Sequence, residues 1–324
     1  MTLTLVRPAL AAAALAFLCA SALAQMPVQP YSERAYDPAV GSRWSIVSVT
    51  DSEDDRGPAG KRDQHIRTSA ELTIEEKLAD GFRISYVNRD ISITGNAPGT
   101  ELATTAFGAV KDIVVRARTD KSGKPVAVEN LDEVKATLRT VIERMVKAFE
   151  QKPQVAGFMR QMLEGFLVAD EKSAVTALME DLPVLAAGQN TGLKPGEVRR
   201  EQTEVPNPFG GAMKTSLVTR ISEWNDKAGT VRIARNNDLD PEALKAVTLD
   251  IVRKLAAVSD GKITPEMLEM MKQISFTIDS MTLIDVSNGM TTSIEDRSST
   301  SISLMGQHMT KVEKKLVSVI PRPN

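Results

Sequence analysis

Past residue 24 the sequence has no cysteine, the one thiol among its 324 residues being Cys19. Disulfide scaffolds and thiolate chemistry are therefore excluded from the bulk of the chain. Histidine is almost as scarce, with only His65 and His308. A zinc site or a histidine base would have to be assembled around one of these two residues, which lie on separate extended segments. No serine nucleophile elbow, Walker-type phosphate loop, dinucleotide glycine fingerprint or His-Glu-x-x-His helix occurs. Aromatic residues make up 4% of the chain, too few for the stacking platforms that hold sugars or single-stranded nucleic acid.

Long apolar runs are also absent beyond the N-terminus, so no segment offers the roughly 20 apolar residues of a spanning helix. The N-terminus itself reads as a cleavable secretory signal: Arg7, an alanine-rich apolar run from Pro8 to Leu18, then Ala22-Leu23-Ala24 with small residues at the outer two positions. Phe17-Leu18 before Cys19 are bulkier than a lipid-modification site requires. The expectation is a periplasmic or secreted protein, freed near Ala24. Losing Arg7 leaves 39 basic against 42 acidic residues, a net charge of −3. Such a balance gives no bulk attraction for nucleic acid.

What is present is periodicity. Residues 25–40, with Pro27, Pro30 and Pro38, have none and read as a flexible lead-in. A first block over 41–185 opens with an extended stretch around Trp44–Val47, crosses a charged loop at Asp51–Arg62, and continues as alternating strands near Gln64–Glu75 and Gly81–Ile93. In the second of these strands Phe82, Ile84 and Tyr86 share one face. Ile113–Thr119 and Pro125–Glu129 flank a polar turn and predict a hairpin. Asn130 with Glu133 has capping-box spacing, and Val134, Leu138, Val141, Met145 and Phe149 form the apolar stripe of the helix that follows. A second helix starts at Pro153, and a third, Glu171–Leu182, stops at Pro183.

After a joint at 186–195, a block over 196–324 repeats the plan. It has strands ending near Trp224 and around Val231–Ala234, helices opened by Asp240-Pro241 and Thr264-Pro265, and a hairpin at Ser287-Asn288-Gly289. Strands neighbour strands, so the fold class expected is α+β: twisted antiparallel sheet covered on one face by amphipathic helices, with the unit duplicated.

Candidate sites are few. Asp51, Glu53, Asp54 and Asp55 lack the alternating ligands and central glycine of a calcium loop and read as a solvated tip. Arg83, Arg89, Arg116, Arg118, Arg232 and Arg235 read as the outer face of a half-solvated sheet. Met159 with Met162, and Met267 with Met270 and Met271, have helical spacing; thioethers suit copper(I), but methionine also fills apolar gaps. Together with Phe158 and Phe166 these methionines are the candidate lining of an apolar pocket. No catalytic, metal or cofactor site is expected.

Three segments, Gly41-Ser42-Arg43-Trp44, Asp80–Ile84 and Asp120–Pro125, resemble uncharacterised exported bacterial proteins with long antiparallel sheets. The architecture is also distantly similar to the periplasmic lipoprotein carriers, whose incomplete barrel holds acyl chains; that resemblance implies lipid-like cargo and transfers no residue. The sequence thus points to a non-enzymatic envelope protein binding an apolar small molecule. The alternatives are an assembly module with an envelope protein as partner and a packed core, and a hydrolase using loop carboxylates.

Overall fold

In the computed structural model, residues 31–57, 60–97, 100–109, 111–148, 170–179, 181–206, 212–239, 275–304 and 307–323, with Gly157 and Leu167, are described. The strands are β1 (Arg43–Asp55), β2 (Lys61–Lys77), β3 (Gly81–Gly95), β4 (Val114–Asp120), β5 (Pro125–Val128), β6 (Val198–Pro206), β7 (Ala212–Asn225), β8 (Thr230–Leu239), β9 (Ser275–Ser287), β10 (Met290–Leu304) and β11 (Gln307–Arg322). The described helices are α1 (Thr100–Ala109), α2 (Leu131–Ala148), α3 (Glu171–Leu178) and α4 (Asp181–Ala186).

All eleven strands form one antiparallel sheet in the order β5-β4-β3-β2-β1-β11-β10-β9-β8-β7-β6. This overturns the expected helix-covered α+β fold. At a spacing of about 4.8 Å per strand the sheet is roughly 50 Å wide, and the described helices, of 6 to 18 residues, reach only part of one face.

Strand alternation sorts side chains onto two faces. The inner face carries Ile46, Leu72, Ile84, Ile233, Ile284 and Ile294, all buried, and α2, α3 and α4 pack on that end of it. Along α2, the side chains buried against the sheet are Val134, Leu138 and Ile142. Ile142 takes the place expected of Val141, because two steps of four residues, from Val134 to Leu138 to Ile142, follow the sheet surface. The capping box also differs from expectation. Asn130 Oδ1 accepts from the Arg116 amide at 2.8 Å, and its Nδ2 donates to Glu133 Oε2 at 3.2 Å, so the residue ties the helix start to β4. Pro183 does not end a helix; it sits in the first turn of α4, where its missing N–H is not required.

The outer face is charged. Arg83, Arg89 and Arg232 lie there in ion pairs with Glu129, Glu71 and Asp285 respectively. Arg235 is the exception to the expected outer arginines: it pairs with Thr219 and Thr282 in register, on the inner face. Asp51–Asp55 also departs from expectation, being strand and not loop, with Asp51 opposite Lys314 and Asp54 opposite Lys311.

Residues 31–39 have no helix or strand but are tied to the loop after α4 and to both halves of the sheet. The Glu33 carboxylate accepts from the Thr191 and Gly192 amides at 2.5 and 2.7 Å, and the Tyr36 amide donates to Asn190 Oδ1 at 2.9 Å. The Tyr36 ring meets Phe82 edge-on at 5.3 Å, and burial raises the Tyr36 hydroxyl pKa. Tyr31 is pushed up to about 12 by burial, with Glu33 and Asp226 adding to the shift. The Asn288-Gly289 turn has positive φ at both residues, 51° and 79°, as a type I′ hairpin requires. A Cβ on Gly289 would meet the Ala35 carbonyl oxygen at 2.2 Å, so glycine is needed there for the lead-in to lie close.

One outer-face pair gives a pH dependence. The Arg232 guanidinium, at 2.7 Å, and the Ser293 hydroxyl hold the Asp285 carboxyl below its ordinary range. Stability from this group is present above the unfolded carboxylate value of about 3.9 and is lost as pH falls through the depressed folded value. Urea midpoints of the protein and of Asp285→Asn should accordingly differ at pH 7 and draw together as pH falls below the ordinary carboxylate range. A gap that stays constant across that range would remove Asp285 as the cause.

Candidate functional site

Beyond the apolar end, the inner face turns polar while the alternation continues. On β1, Trp44 and Ile46 are followed at the same parity by Ser48, Thr50 and Ser52. The register places Thr68 of β2 opposite Ser48, and Ile66 opposite Thr50. On the other side of β1, Lys315 and Glu313 of β11 face Thr50 and Ser52. A bulge at Ser69/Ala70 lets β3 continue with Ile91 and Ile93 on the inner face after Tyr86 and Asn88.

Ile113, just before β4, and Val115 within it extend this floor, and above it stand Leu138 of α2, Leu178 at the end of α3 and Asp181 at the start of α4. Between floor and helices lies a partly open cavity of about 350 Å3, in the lower part of the size range of small-molecule sites. It has two chemistries. Ile66, Ile91, Ile113, Leu138 and Leu178 give it apolar walls, and the floor carries hydroxyls and charge.

The charges come in pairs. Lys315 Nζ lies 2.8 Å from Asp181 Oδ1, and Lys311 Nζ lies 3.1 Å from Glu313 Oε2. The first pair is the more enclosed, with the Asp181 and Lys315 side chains 11% and 22% exposed. It is an ion pair by distance and not an aligned hydrogen bond. An enclosed pair of this kind survives only because each charge compensates the other.

Two other depressions, of about 430 and 380 Å3, lie on the outer face. The first surrounds Glu71, which Arg89 and Arg322 already engage. The second is ringed by polar and charged groups, including Asn236, Asp279, Arg297 and Lys314. Neither is lined by any residue of the described helices.

The expected pocket residues Phe158, Met159, Met162, Phe166, Met267, Met270 and Met271 lie outside the described residues, as do the signal segment and the helices expected after Pro153, Asp240 and Thr264. Both histidines are on the outer face, away from the cavity. His65 Nδ1 is 2.7 Å from Asp51 Oδ1, and His308 lies beside Ser301 and Ser303. No group of three or more histidine or acidic side chains that could hold a metal occurs among the described residues, and no described helix is long and apolar enough to cross a membrane. The lysines and the hydroxyl row of the cavity went unread in the sequence, although extending the parity of Trp44 and Ile46 along β1 points to them.

No protein-family model matches the chain, and no curated protein matches it. Among solved structures, lipovitellin, described for its lipid–protein interactions, is similar with a TM-score of 0.38 and 8% identity, over 88% of this chain and 25% of that one. The chain therefore spans about a quarter of that protein. An outer membrane channel from Pseudomonas putida aligns over 90% of this chain and 100% of its own, at 6% identity and a TM-score of 0.19. A protein of the dynemicin biosynthesis pathway of Micromonospora chersina aligns over 92% and 94%, at 7% identity and a TM-score of 0.18. Likenesses this low define neither a family nor a function for the chain.

Proposed function

We propose that this is an exported, non-enzymatic protein that binds an amphipathic small molecule in the inner-face cavity. The supporting observation is the split lining, with Ile66, Ile91, Ile113, Leu138 and Leu178 forming an apolar wall beside a floor of hydroxyls and paired charges. A purely apolar ligand would leave that floor desolvated without partners, at a cost to binding. An amphiphile satisfies both parts. The compartment rests on the N-terminal pattern of Arg7, the apolar run and Ala22-Leu23-Ala24.

Sheet edges give less support to an assembly role. Edge strand β5 has four residues and begins with Pro125, and edge strand β6 carries Arg199, Arg200 and Glu201. Short, proline-bearing and charged edges discourage strand addition.

Thr50 tests the cavity directly, because it is half-buried, lies on its floor and belongs to no core cluster. Thr50→Trp should fill the space and weaken binding of an apolar fluorescent dye by at least about tenfold, with the far-ultraviolet circular dichroism of the sheet unchanged. Unaltered dye affinity in the folded variant would place the ligand elsewhere.

A further inference from the structure

We infer, building on that reading, that the cavity selects amphiphiles whose polar end is uncharged and bears hydroxyls. Two observations carry this. The first is the charge inventory of the floor. Lys315 and Lys311 each already face a carboxylate, at 2.8 and 3.1 Å, and Asp296 of β10 stands next to Lys315 in register while accepting from the Thr282 hydroxyl at 2.9 Å. An anionic head group would have to displace Asp181 or Glu313 and lie beside the carboxylate it displaced. A cationic one would have to displace a lysine from its partner. At the enclosed Lys315–Asp181 pair either exchange leaves a partly buried charge uncompensated, whereas Lys311 and Glu313, 54% and 38% exposed, are already screened by solvent and offer an ion little.

The second observation is the hydroxyl row. Ser48, Thr50 and Ser52 follow one another at every second residue of β1, roughly 7 Å apart, and Thr68 lies opposite Ser48. Among the described residues, no hydrogen bond uses any of these four hydroxyls. A hydroxyl both donates and accepts. The row is therefore matched to a ligand end that also does both, as alcohols do, and a carboxylate or quaternary ammonium does not. The apolar walls take the ligand's hydrocarbon part, and the ion pairs stay closed, bounding the polar end on the β11 side.

The test holds the hydrocarbon constant and varies the head. Displacement of an apolar dye from the full chain is measured with 1-dodecanoylglycerol, dodecanoate and dodecyltrimethylammonium, each below its micelle concentration. The glycerol ester should compete at least about tenfold better than either ion, and in Thr50→Val/Ser52→Ala that advantage should vanish while the dye still binds. Equal or tighter competition by either ion overturns the inference, as does an undiminished advantage in the double variant. Failure of the unaltered protein to bind the dye at all overturns the cavity reading itself, so the two failures are distinct. Comparing ligands on the unaltered protein keeps the question decidable if the double variant does not fold.

Discussion

Lys315→Met alone is expected to lower the unfolding free energy by about 3 kcal/mol, because it strands the Asp181 carboxylate, 11% exposed, at the start of α4. The lysine supplies charge compensation, and its four-carbon stem is replaced by a methionine of similar length, so lost packing contributes little. Asp181→Leu with Lys315→Met should recover most of the loss, since an apolar pair of similar volume removes the desolvation cost together with the attraction. Urea unfolding followed by circular dichroism gives both numbers and their coupling. A single-variant loss below about 1 kcal/mol would mean that solvent already screens the pair as it does surface ion pairs.

Ile284→Ala should cost about 4 kcal/mol. The side chain is fully buried, lies between Ile233 and Ile294 of the flanking strands, and is roofed by the chain just after α4, where a Cβ on Gly188 would stand 2.5 Å from its Cγ2. Backbone on one side and paired strands on the other leave little room to collapse into the space, which places the substitution in the upper part of the range for such truncations. Ile284→Val, which removes one methyl, should cost about 1 kcal/mol. Equal effects of the two variants would show that the site relaxes freely.

How far the sequence could be read depended on how one-sided each strand is. β3 was legible because Phe82, Ile84 and Tyr86 are buried while Arg83 and Ser85 face solvent or salt bridges, and the 287–289 turn was legible because its backbone needs Asn-Gly. The far halves of β1 and β10 were not. There, polar residues occupy both faces, Ser48, Thr50 and Ser52 on the inner and Asp51, Glu53 and Asp55 on the outer, so hydrophobic alternation stops while the strand continues. What keeps such a segment extended is cross-strand pairing with Lys311 and Lys314, residues remote in sequence, and no local pattern contains that. The same blindness hid the cavity. Apolar helices drew attention to methionines outside the described residues, whereas the described lining owes its character to serine, threonine and lysine on strands.

The pairing of β1 with β11 at the middle of the sheet has a consequence for the order of assembly. The first described strand cannot complete its pairing until the last described strand is made, so the seam joins residues remote in sequence and carries a high loop-closure cost. Until then β1 is an open edge. Its run of Asp51, Glu53, Asp54 and Asp55 repels a second copy of itself and matches the lysines of β11, so one set of charges guards the half-built sheet and selects the strand that completes it.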